Sequence, residues 1–124
     1  MKRDSEALKI RTKDFALRVL RLYRSLPRTK EARILGTQLL RSSTSIGANY
    51  RAACRGRSRA EFVAKLGIVL EEADETVFWL ELFQEGNIFP ADKLRDLVQE
   101  ANELVSIFVS SVRTARGLPL QSDL

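Results

Sequence analysis

Sixteen of the chain's 21 Lys and Arg side chains lie within residues 1–60, and five of them, Arg41, Arg51, Arg55, Arg57 and Arg59, fall in one short stretch. An arginine presents a planar fork that matches phosphate oxygens, and each phosphate neutralised releases counterions, so clustered arginines point to a nucleic-acid backbone. Carboxylates gather elsewhere, at Glu71, Glu72, Asp74, Glu75 and Glu81. Their types suit metal binding or proton transfer, but di-iron sites in helical bundles combine carboxylates with Glu-x-x-His, and the chain has no histidine. With a single cysteine among 124 residues, the ordinary zinc sets and the Ser-His-Asp and Cys-His arrangements are excluded as well. Cys54 therefore reads as a small buried hydrophobe. No catalytic residue, metal ligand or cofactor is expected, and the protein is not expected to be an enzyme.

The net charge of +5 hides a strong division. Residues 1–60 carry 16 basic and 4 acidic side chains, a net of +12, whereas residues 61–124 carry 5 basic and 12 acidic ones, a net of −7. Such a bipolar chain suits either an anionic partner for its first half or pairing between the halves. The N-terminus alternates charged and apolar residues, unlike a signal peptide. No stretch approaches the roughly 20 apolar residues of a membrane span, so a cytoplasmic protein without a membrane partner is expected. The length fits one domain with its own core.

Three breaks, Pro27 to Lys30, Gly56 to Ser58 and Gly86 to Pro90, separate four segments with helical apolar spacing. The expected helices cover about residues 5–26, 31–55, 58–86 and 90–116, followed by a flexible tail at 118–124. In the first, Leu8, Phe15, Val19, Leu22 and Leu26 form one stripe, while Lys9, Arg11, Lys13, Arg18, Arg21 and Arg24 spread over the rest. In the second, Ala32, Leu35, Leu39, Ile46, Tyr50 and Ala53 stay in phase across a centre, Ser42 to Asn49, of low helix propensity. Arg41, Arg51 and Arg55 fall in one sector opposite that stripe.

The third segment opens on Ser58-Arg59-Ala60-Glu61, a capping-box pattern, and closes at Gly86-Asn87, which suits a left-handed cap. Its main stripe is Phe62, Leu66, Val69, Ala73, Val77 and Leu80. A second apolar group, Ile68, Phe78, Trp79, Leu82 and Phe83, points elsewhere and predicts a contact between subunits, with burial within one chain as the alternative. The fourth segment starts at Pro90, suited to a first helical position, and runs along Leu94, Leu97, Val98, Ala101, Leu104, Val105, Phe108 and Val112 to a stop at Gly117. Four amphipathic helices with short connections predict an all-α, antiparallel up-and-down four-helix bundle as a single domain over residues 1–117.

From Arg41-Ser42-Ser43-Thr44-Ser45-Ile46-Gly47-Ala48-Asn49-Tyr50-Arg51 through Ser58-Arg59-Ala60-Glu61-Phe62 to Trp79-Leu80, the sequence resembles a bacterial four-helix-bundle family. Its first members were encoded by intervening sequences in large-subunit ribosomal RNA genes. The resemblance spans about residues 8–116 and implies an antiparallel bundle, assembly as a ring-shaped homopentamer and no known enzymatic activity. A distantly similar protein, the accessory variability determinant of diversity-generating retroelements, is a basic pentamer that binds nucleic acid and a reverse transcriptase. The expected partners are thus copies of the chain itself and RNA or DNA. The candidate phosphate-binding residues are Arg18, Arg21, Arg41, Arg51, Arg55, Arg57 and Arg59. An oligomeric scaffold that recruits a protein and binds no nucleic acid is the alternative, with the arginines paired to the acidic third helix or solvated.

Overall fold

The computed structural model describes residues 2–117, with side chains from Asp4 onward; the tail expected at 118–124 lies outside the described residues. Four helices follow one another, α1 (Lys2–Ser25), α2 (Lys30–Cys54), α3 (Arg59–Glu85) and α4 (Ala91–Ala115), and there is no strand among the described residues. Connections of four or five residues force each helix to run back along its predecessor, which gives the antiparallel four-helix bundle. Neighbours in sequence pack closely, α1 on α2, α2 on α3 and α3 on α4, and α4 approaches α1 less closely to complete the circuit.

Each boundary has a chemical cause. Thr29 caps α2 by accepting the Ala32 N–H at 3.2 Å. Ser58 caps α3 by accepting the Glu61 N–H at 3.1 Å, while the Glu61 carboxylate reaches back to the Arg57 N–H at 2.6 Å, one residue beyond the usual capping-box partner. At the end of α3 the left-handed residue is Asn87 (φ 55°) and not Gly86. The Ile88 N–H donates to Phe83 O and the Asn87 N–H to Gln84 O, a Schellman motif that folds Ile88 back onto the core. Pro90 stands at the N-cap of α4, one position earlier than expected. Gly117 ends α4 with φ +70°, a conformation that glycine adopts without strain.

The stripes close around Phe15, Leu39, Ile46, Leu66, Leu80, Leu94, Leu104 and Phe108, all almost inaccessible. In α3 the buried row is Leu66, Val69, Ala73, Thr76, Leu80 and Phe83, stepping by three and four residues. It takes in Thr76 where the sequence pattern favours Val77. A buried hydroxyl is tolerated because Thr76 donates to Glu72 O at 2.8 Å and hydrogen-bonds with Ser42 Oγ at 2.9 Å. The polar centre of α2 stays helical for a similar reason. Ser42, Ser43, Thr44 and Ser45 donate to carbonyls three or four residues back, and Asn49 donates to Ser45 O, so no buried polar side-chain atom is left without a partner among the described residues.

Tyr50 lies between α1 and α4, its ring 5.5 Å from that of Phe108. Burial pushes its phenol up to about 12, opposed by a hydrogen bond with Ser5 and reinforced by Cys54 and Asp4. Folding therefore favours the neutral phenol. The associated stability is complete below the ordinary tyrosine range near pH 10 and is lost as pH rises towards 12. The urea midpoint of the wild-type protein is expected to fall more steeply over this window than that of Tyr50→Phe.

Candidate functional site

The first two helices pack tightly at one crossing because α2 has no side chain there. A Cβ added to Gly47 would stand 3.3 Å from Thr12 Oγ1, and Thr12 is itself buried, its hydroxyl donating to Leu8 O at 2.8 Å. On the outer side of this contact runs a groove of about 390 Å³ between α1 and α2. It is lined by the small residues Ala16, Thr44, Gly47, Ala48 and Ala52 and by the cations Lys9, Lys13, Arg51 and Arg55. Lys9 Nζ is 3.1 Å from Glu6 Oε1. Lys13, Arg51 and Arg55 are exposed and make no ion pair among the described residues. Three unpaired cations, together with Lys9 beside Glu6, face a concave surface whose lining holds no carboxylate, and such a surface can hold a polyanion.

The other candidate arginines go to different places. Arg41 does not join the groove: its guanidinium lies 3.3 Å from Glu72 Oε1 and also pairs with Glu75 Oε2, both on α3. It precedes Arg51 by ten residues, which moves it about 15 Å along α2 and turns it by some 80°. Its place is thus at the α2–α3 seam, and Glu75 there also accepts the indole N–H of Trp79 at 2.9 Å. Arg18 and Arg21 line a separate groove of about 340 Å³ between α1 and α4, together with Phe89, Lys93 and Asp96. Arg59 donates to Ala115 O at 2.8 Å and so satisfies a carbonyl at the C-terminal end of α4. Arg57 is exposed in the α2–α3 turn, beside the Arg55 end of the basic groove.

The basic face of the first helix, expected as a whole to bind phosphate, divides between two further uses. Lys9 and Lys13 join Arg51 and Arg55, and the signal was their spacing of four residues beside Ala16, facing the small residues of α2. Arg11 leaves the basic face of α1 to bind α4: its Nε and Nη2 donate to the two oxygens of Glu100 at 2.8 Å, and Nη2 also reaches Glu103 at 2.7 Å. Hydrogen bonding to Glu100 raises its already high pKa, so the guanidinium that ties the first helix to the last keeps its proton.

The expected subunit contact separates into two parts. Ile68 and Phe78 stand 37% and 50% exposed on the outer face of α3, and Trp79 and Leu82 are half-buried beneath them. Phe83 does not belong with them. It is wholly buried in the core of its own chain, because it continues the row of Thr76 and Leu80 and faces inward. No helix among the described residues is long and apolar enough to cross a membrane.

Comparison with curated proteins gives no match. Among solved structures, the chain is similar to a protein of unknown function from the S23 ribosomal protein family of Bacteroides thetaiotaomicron. The two are 34% identical over 88% of this chain and 97% of that one, with a TM-score of 0.81. The family profile described as 23S rRNA-intervening sequence protein matches residues 6–110, which covers all of α2 and α3 and most of α1 and α4. By that match and that likeness, the chain belongs to the 23S rRNA-intervening sequence protein family.

Proposed function

We propose that this protein is a non-enzymatic oligomer that binds nucleic-acid backbone without sequence specificity, using the groove between α1 and α2. The observation that supports it is the convergence of Lys9, Lys13, Arg51 and Arg55 on one concave surface, three of them without an acidic partner. Apart from Thr44, the groove's uncharged lining is alanine and glycine, so it offers little with which to read base edges and much with which to hold phosphates. The family description names 23S rRNA and the Bacteroides relative's names a ribosomal protein family, which makes RNA the first polyanion to test.

Self-assembly, as the pentamer of similar proteins suggests, would repeat the groove around an axis and add avidity. The exposed Ile68 and Phe78 on the acidic α3 suit that contact, and the basic outer face of α1 complements it in charge. Binding is measured by fluorescence anisotropy of labelled RNA at about 50 and about 200 mM salt. Three or four phosphate contacts predict that affinity falls about 20–50-fold between the two. Absence of binding at the lower salt would sink the nucleic-acid reading and leave the protein-recruiting scaffold in its place.

A further inference from the structure

We infer that the α1–α2 groove takes a single strand lengthwise, holding about three consecutive phosphates, and does not accommodate a duplex. This rests on the reading of the groove as a backbone site and adds which form of nucleic acid fits it. The register of the helices is set at Gly47, which faces the backbone and hydroxyl of Thr12, while Gly36 packs against Leu26 and Tyr23. Because α1 and α2 are antiparallel, the same register brings Arg51 level with Leu8 and Arg55 level with Asp4. The cations therefore stand at three levels along the groove, with Arg55 at one end, Arg51 and Lys9 in the middle and Lys13 at the other end. Successive levels are four or five residues apart, about 6–7 Å along the helix axis. That step is close to the separation of neighbouring phosphates on one extended strand.

The cross-section carries the second half of the inference. Axes of packed helices lie about 8–10 Å apart, and the uncharged residues that line the groove, Ala16, Thr44, Gly47, Ala48 and Ala52, are all small. A single sugar-phosphate chain can sink into such a trough and be reached by cations from both walls. A duplex is wider than the whole trough, so it can rest only on the rims and meets the two walls unequally. None of the lining residues is aromatic, so no base is stacked and all base compositions are held alike.

The test uses the full chain and three labelled probes of about twelve nucleotides: single-stranded RNA, single-stranded DNA and a duplex of the same length. At about 50 mM salt, the single strands are expected to bind about tenfold or more tightly than the duplex. The exposed pair Ala48→Leu/Ala52→Leu enlarges two small side chains of the groove's lining without altering charge. It is expected to weaken single-strand binding about tenfold and to leave duplex binding within about twofold. Equal or tighter binding of the duplex, measured on the wild-type protein, overturns the inference whatever the variant's folding. So does an Ala48→Leu/Ala52→Leu variant that binds single strands as well as wild type, and in both cases salt-sensitive binding would preserve the backbone reading. If none of the three probes binds, that reading falls too.

Discussion

Phe83→Ala is expected to lower the stability of the fold by about 3–5 kcal/mol, read as a shift of the urea midpoint. Phe83 is fully buried where the end of α3 meets the core, and its carbonyl accepts the Ile88 N–H of the Schellman turn. Truncation removes apolar contact on all sides of the ring, and rigid helices cannot collapse to fill the space. Phe78, five residues earlier on the same helix, provides the control. It is half exposed and packs its ring edge-on to Trp79 at 5.1 Å, so Phe78→Ala should cost the chain's own fold less than about 1 kcal/mol. Its effect is expected in light scattering, as a smaller particle, if the outer face of α3 joins subunits. A Phe83→Ala protein as stable as wild type would show that the ring is not part of the core.

The second large effect concerns charge. Lys13→Glu/Arg51→Glu/Arg55→Glu removes three cations from the groove walls and replaces them with anions, and it should weaken RNA binding by more than about 100-fold at low salt. The fold should survive, since these side chains are exposed and make no ion pair among the described residues. Arg41→Glu changes charge in the same direction on the same helix but faces Glu72 and Glu75, creating a cluster of three carboxylates at the α2–α3 seam. Its expected result is the reverse: about 1 kcal/mol less stability with RNA binding changed by no more than about twofold. Similar losses of binding in both variants would mean that net charge, and not the groove, governs the interaction.

Much of the candidate site was visible as composition and little of it as geometry. The arginine-rich stretch stood out at once, yet its five members serve at least three purposes. Arg51 and Arg55 line the groove, Arg41 holds α3, and Arg59 caps α4. On sequence spacing Arg41 groups with Arg51 and Arg55 in one broad sector, but ten residues of helix set Arg41 about 15 Å and some 80° from Arg51, which delivers it to a different neighbour. Phe83 was misjudged, and Thr76 was passed over beside the partly buried Val77, for a related reason. Over 27 residues the buried row of α3 follows steps of three and four that admit a hydrogen-bonded threonine, and hydrophobicity alone passes over Thr76. The serine-rich centre of α2 shows the opposite case, in which phase prevailed over propensity because the hydroxyls bond within their own helix.

The sequence alone determined the four helices, their breaks and the apolar stripes, since apolar spacing, proline and glycine act within a few residues of chain. It also determined that basic charge belongs to the first helix pair and acidic charge to the second, a division concealed by the net +5. Only the tertiary structure decided how those charges are spent. Arg11 and Arg41 are committed to carboxylates of α4 and α3, Arg18 and Arg21 to a groove of their own, and Lys9, Lys13, Arg51 and Arg55 to a common trough. The reason is that periodicity describes one helix at a time. Which cations meet depends on the rotation and register between helices, and those follow from contacts as small as the absent side chain of Gly47 against Thr12.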